Sequence, residues 1–138
     1  MKKQTKKSVI KKLQNKAEKL WKEYCHKRDG KGCQVQKHYP HLNLIHSKIL
    51  QVDHCFSRNK KALFLEVANG TIVCSSCNAQ KGWGNRVIAR AIEDIVINRE
   101  GQDVFDRMSE VSLQTGFLQW KNINWLELQI EILTDMGG

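Results

Sequence analysis

No apolar run in this chain approaches the roughly 20 residues that a bilayer-spanning helix needs, so no segment of it reads as a membrane anchor. The lysine-rich opening lacks the pattern of a secretory leader. Paired cysteines are lacking too: five is an odd number, and their spacing suits a metal better than disulfides. A reducing, cytoplasmic setting is the expectation. Internal repeats are missing, and the only compositional bias is the run of lysines at the start. What remains is one domain's worth of chain, 138 residues of which 41% are apolar, enough for a modest core. A metal staple would add to that core where the chain reads as irregular, from about residue 25 to about residue 85.

Charge is abundant and unevenly spread. The net +9 of the whole chain divides into +9 over residues 1–28, +6 over 29–90 and −6 over 91–138. A polyanion is the natural partner of such a surface, and nucleic acid is the commonest one. From Val9 to Tyr24, apolar residues recur at three- and four-residue steps, with Lys11, Lys12, Lys16, Lys19 and Lys22 filling the other side. This pattern predicts an amphipathic helix that packs on the body of the protein and leaves Lys12, Lys16 and Lys19 facing phosphates. The glycines in Arg28-Asp29-Gly30-Lys31-Gly32 end it.

No long helix is expected between Cys33 and Gly84. Ile49–Val52 and Thr71–Val73 read as short strands, joined by an excursion that carries Arg58, Lys60 and Lys61. A connection of that length in a hairpin usually serves function. Beyond Gly82-Trp83-Gly84 the period returns to that of helices. One has its stripe on Val87, Ile88, Ala91, Ile92, Ile95 and Val96 and ends at Gly101. A short one follows around Val104, Phe105 and Met108, and a last one, capped at Asn124, carries Trp125 to Leu133.

The chemistry lies in the middle. Cys74 and Cys77, at i and i+3, can grip one zinc ion. Twenty-one residues before Cys74, Asp53 at a strand end can hold a hard divalent cation through oxygen. His54, its neighbour, points to the other face and has a pKa range suited to taking a proton from water. Asn78, directly after the knuckle, offers a neutral amide oxygen to the same cation, or serves as a helix cap. Asn69 is either a turn residue or a group that orients His54 across the hairpin.

The order Asp53-His54, Asn69, Cys74-x-x-Cys77-Asn78 resembles the HNH (ββα-metal) nuclease motif, with asparagine in place of the final histidine. The segments Asp53–Arg58 and Asn69–Gly82 are most similar to phage recombination nucleases of the NinG/Rap type, and a more distant likeness is to endonuclease VII. The likeness covers residues 33–86, is weaker over the helices after them, and is absent from the basic start. It implies an α+β fold: a small zinc-stapled ββα-metal core over 31–98, preceded by the basic helix of 1–30 and followed by a helical extension over 99–138. The residues that match carry expected roles: Asp53 and Asn78 hold a catalytic Mg²⁺ or Mn²⁺, His54 is the general base, Asn69 orients it, and Cys74 and Cys77 form half of a structural Zn²⁺ site. Arg58 and Lys81 match, loosely, basic residues near the phosphate. The implied activity is hydrolysis of DNA phosphodiester bonds, with branched substrates such as Holliday junctions and displacement loops, and the apolar helices after residue 86 offer a surface for a homodimer.

One departure from the family pattern bears on the zinc site. After Cys33, where a second thiolate is usual, stands Gln36, and glutamine is a poor zinc ligand. His38 is the expected fourth ligand beside Cys33, Cys74 and Cys77, with His41 and Cys25 as alternatives and an incomplete site also open. His46 is expected to have no special role. Two other functions stay open: a zinc-knuckle DNA-binding module without catalysis, and a homing- or restriction-type nuclease that reads sequence.

Overall fold

The structure is a computed structural model that describes residues 4–137. Helix α1 (Lys6–Asp29) starts where the Thr5 hydroxyl accepts from the Ser8 N–H at 3.1 Å. It ends at Gly30, whose φ of +74° an L side chain would strain. His26, Lys27 and Arg28 sit in its last turn, where the helix dipole favours positive charge. The spacing that predicted the helix also predicted its inner face. Ala17, Trp21 and Cys25, four residues apart, are buried, while Lys12, Lys16 and Lys19 are exposed.

After the five-residue helix α2 (Gln34–His38) come strand β1 (Leu50–His54) and strand β2 (Gly70–Cys74), then helices α3 (Ser75–Gly82), α4 (Arg86–Glu100), α5 (Gln102–Ser112) and α6 (Ile123–Gly137). The two strands pair antiparallel, with Leu50 opposite Cys74 and His54 opposite Gly70. The architecture is thus α+β, a small two-stranded sheet among helices. Helix α6 is capped two residues earlier than expected: the Asn122 carboxamide accepts from the Trp125 N–H at 2.9 Å, and Asn124 is exposed. No helix among the described residues is long and apolar enough to cross a membrane.

Strand alternation divides the hairpin between two cores. Val52 and Ile72 pack with Trp21, Phe64 and Leu65 beneath α1 and α6. Val73 packs on the opposite side with Val35 of α2, the knuckle cysteines, and Ile88, Ile92 and Ile95 of α4. A third cluster, of Leu63, Ala68, Val96 and Met108, seats the 55–69 excursion on α4 and α5. Helix α1 comes so close to β2 that a Cβ on Gly70 would lie 2.6 Å from both Cys25 Sγ and Trp21 Cζ2. Polar contacts fix the same seam. Arg28 donates to the carbonyls of Val67 and Gly70, Arg99 donates to that of Ala68, and Asp29 accepts the Ile72 N–H at 3.0 Å. Asp29 thereby covers the free edge of a sheet that has only two strands.

Candidate metal centre and polar site

The hairpin register builds the metal centre. Because Leu50 faces Cys74, the chain just before β1 runs beside the chain just after β2. The Ser75 N–H donates to the Ile49 carbonyl at 2.7 Å, the Ser47 and Ser75 hydroxyls meet at 2.6 Å, and the Ser76 hydroxyl donates to the Ile45 carbonyl at 2.7 Å. His46 is thereby brought to the knuckle. Its Nδ1 lies 3.5 Å from Cys74 Sγ and 3.3 Å from Cys77 Sγ, and Cys33 Sγ lies 3.9 Å from Cys77 Sγ. All four ligand atoms fall within 4.8 Å of one another.

These separations fit a tetrahedral zinc site, in which Zn–S bonds of about 2.3 Å give S···S edges of about 3.8 Å. Three soft thiolates and an imidazole are also a common structural zinc set. Burial opposes ionisation of Cys74, but backbone N–H groups, His46 and Cys77 pull its thiol down to about 6. Burial and the neighbouring Cys74 and Cys33 sulfurs push Cys77 the other way. A Zn²⁺ ion held by these groups would ionise the thiols.

His38, the expected fourth ligand, is not in this cluster. It lies on α2, one turn after Gln34, and its Nε2 meets Gln34 Oε1 at 3.2 Å. His41 and Cys25 are not in the cluster either: Cys25 lies under α1 against Gly70. The ligand that sequence reasoning missed, His46, stands 13 positions after Cys33 in a stretch without regular structure. The register of the hairpin was the signal that would have found it.

On the same side of the sheet, β1 and α3 face each other through two polar rungs. Asn78 Nδ2 donates to Gln51 Oε1 at 2.7 Å, and Lys81 Nζ donates to Asp53 Oδ2 at 2.8 Å. Gln51 and Asp53 share a strand face, and Asn78 and Lys81 share a helix face, so the spacings i, i+2 and i, i+3 match. Asp53 is only 5% exposed. Burial raises its pKa by more than Lys81 lowers it. Lys81 also donates to the His54 carbonyl at 2.8 Å, so it is tied into the site and does not stand free as a phosphate contact.

His54 lies on the opposite face, as strand alternation requires, and is 6% exposed. Its ring stacks on Trp21, with centroids 4.3 Å apart and planes at 16°, and tilts against Phe64 at 4.6 Å. Nε2 donates to the Phe64 carbonyl at 3.1 Å, which leaves Nδ1 as the unprotonated nitrogen of a neutral ring. Burial, chiefly, pushes the imidazole down to about 4, with the Phe64 carbonyl pulling against it. Trp21 Nε1 in turn donates to the Glu66 carbonyl at 2.9 Å, which fastens α1 to the segment that holds His54.

Asn69 does not touch the imidazole through any hydrogen bond of its side chain. Fully buried, it accepts from the Phe56 N–H at 2.7 Å and donates to the carbonyls of Phe56 and Leu63, both at 3.1 Å. It closes the 55–69 excursion and fixes the residue before Phe64, so its hold on His54 is indirect and it is a positioning residue. Arg58 is exposed, pairs with Glu18 at 3.5 Å, and lies over the Phe64 ring. Lys61 lies over the rings of Phe64 and Trp120, and Lys60 is half-buried beside it. Together with Lys12, Lys16 and Lys19 on α1, these residues keep the His54 side of the molecule cationic.

The structure thus brings together Asp53, Asn78 and Lys81 on one face and places His54 on the other. No protein-family profile, curated protein or solved structure matches the chain.

Proposed function

We propose that the protein is a metal-dependent DNA endonuclease of the ββα-metal (HNH) kind, with branched recombination intermediates as its preferred substrates. The observation that carries the reading is the state of His54. It is neutral, oriented by a main-chain carbonyl through Nε2, and it directly follows an Asp whose carboxylate already draws a cation. A general base requires that tautomer. Asp53, Asn78 and Gln51 offer oxygen atoms only, a donor set that fits a hard divalent ion, and Asp53 with Asn78 would hold it. Bound there, Mg²⁺ would supply neutralisation of the charge that develops on the phosphate and the leaving oxygen.

His54 Nδ1 takes one proton from a water molecule, whose oxygen forms a bond to phosphorus as the bond to the 3′ oxygen breaks, and the departing 3′ oxygen takes a proton from solvent water. The products carry a 5′ phosphate and a 3′ hydroxyl. Lys81 must yield Asp53 to the metal. The cationic face formed by α1 and the 55–69 excursion binds phosphates without reading bases, which suits selection by shape.

The closed state of those groups favours a second reading. With Asp53 paired to Lys81 and the His54 ring stacked on Trp21, the same fold serves as a zinc-stapled nucleic-acid-binding module without catalysis. The two part in one assay, in which zinc-loaded protein with Mg²⁺ or Mn²⁺ meets linear duplex, single-stranded and four-way-junction DNA. Cutting near the branch is expected. Binding without cutting in either metal would leave the module, and cutting of duplex at fixed sites would mark a sequence-reading nuclease instead.

A further inference from the structure

Trp83 has no place in the core or in the polar site. It stands in the Gly82-Trp83-Gly84 turn between α3 and α4, 82% exposed, and it is the only exposed aromatic among the described residues.

The turn beneath the ring is firmly tied. The Trp83 N–H donates to the carbonyls of Ala79 and Gln80 at 3.0 and 3.2 Å, the Gly84 N–H to Lys81 at 3.0 Å, and the Asn85 N–H to Gln80 at 2.9 Å. Gly84 adopts φ +93°, a conformation that an L side chain would resist. Beside the indole, Ile45 is 79% exposed, and the two apolar groups border an open cavity of about 550 Å³. Ser76, Gln80 and Asn85 complete its lining with polar groups.

The surrounding charge identifies the occupant. From Val67 to Ile92 the chain carries Lys81, Arg86 and Arg90 and no Asp or Glu, and the stretch that supplies Ile45, residues 31–52, carries Lys31, Lys37 and Lys48 and again no acid. Arg86, Arg90 and Lys48 are exposed. The centre of the patch is uncharged, as in a protein interface, but every Lys, Arg, Asp or Glu in these two stretches is a cation. An aromatic ring with free faces, set among cations and beside amide groups, has instead the composition of a platform for a base on a phosphate backbone.

We infer that Trp83 and Ile45 form a stacking site for an unpaired nucleobase of single-stranded or branched nucleic acid. This inference rests on the reading of the protein as acting on nucleic acid and goes beyond it. Trp83 follows by two residues Lys81, which touches both Asp53 and the His54 backbone, so a base held on the indole anchors its strand beside the polar site.

Fluorescence anisotropy without added Mg²⁺ tests it, using single-stranded, four-way-junction and fully paired duplex DNA at one salt concentration. Trp83→Ala is expected to weaken binding of the first two about tenfold and to leave duplex affinity and thermal stability unchanged, while Trp83→Phe keeps most of the affinity. Quenching of tryptophan emission by single strands should disappear in both variants. An equal loss on all three substrates, or none on any, overturns the inference while leaving the nuclease reading to the cleavage assay. Unaltered affinities throughout would point to a protein partner for this patch. Wild-type protein that binds none of the three DNAs would sink the inference together with the reading beneath it.

Discussion

His54 concentrates the physics of the site in one residue. Burial first, then the nearby Arg58 and Lys61 charges, hold its imidazole at about 4, against the opposing pull of the Phe64 carbonyl. An unfolded chain takes up this proton near pH 6.5, whereas the folded chain resists until about pH 4. Between these values the unfolded state binds more protons, so stability falls as pH falls, by at most roughly 3 kcal/mol from this group. The advantage in Tm of wild type over His54→Gln should therefore shrink as the buffer is lowered from about pH 7 to about pH 4.5. A gap that stays constant would mean that the ring is not buried in neutral form. Alternation along a strand was enough to foresee that Asp53 and His54 part to opposite faces. That Trp21, 33 positions earlier, closes over the imidazole was not legible, because a helical stripe shows which side is buried and not what it is buried against.

Among the elements, those legible in the sequence were the ones whose period repeats. The stripe from Val9 to Tyr24 became α1, that from Val87 to Val96 became α4, and both ended at the glycines expected to stop them. The end of α6 shows the limit. Asn122 and Asn124 flank the same start with the same chemistry, and only the structure shows which carboxamide reaches a free N–H. Asn122→Ala should cost about 1 kcal/mol in denaturant unfolding, and Asn124→Ala a few tenths at most. The reverse order would restore the cap that the sequence first suggested. For the metal centre, the Cys74-x-x-Cys77 spacing announced itself because both ligands lie within one turn. Cys33 and His46 come from separate segments that meet the knuckle through the hairpin, and local spacing carries no record of that meeting.

For the whole molecule, the candidate metal centre draws its four ligand atoms from three segments: the chain before β1, the start of α2 and the start of α3. Purified protein should carry one zinc per chain. His46→Ala should lose it, with affinity falling by more than the roughly 100-fold that loss of a supporting hydrogen bond causes, while His38→Ala keeps it. Zinc retained by His46→Ala and lost by His38→Ala would reverse the ligand assignment. The cluster lies where the chain entering β1 meets the start of α3, so cleavage is to be compared between variants of equal zinc content. Single-turnover cleavage of a four-way junction in Mg²⁺, by wild type and by His54→Ala with equal zinc content, bears most directly on the nuclease reading. Wild type is expected to cut at the branch, and His54→Ala to bind the junction as tightly with its rate reduced at least 100-fold. Equal rates for the two proteins, or no cutting by either, would contradict it.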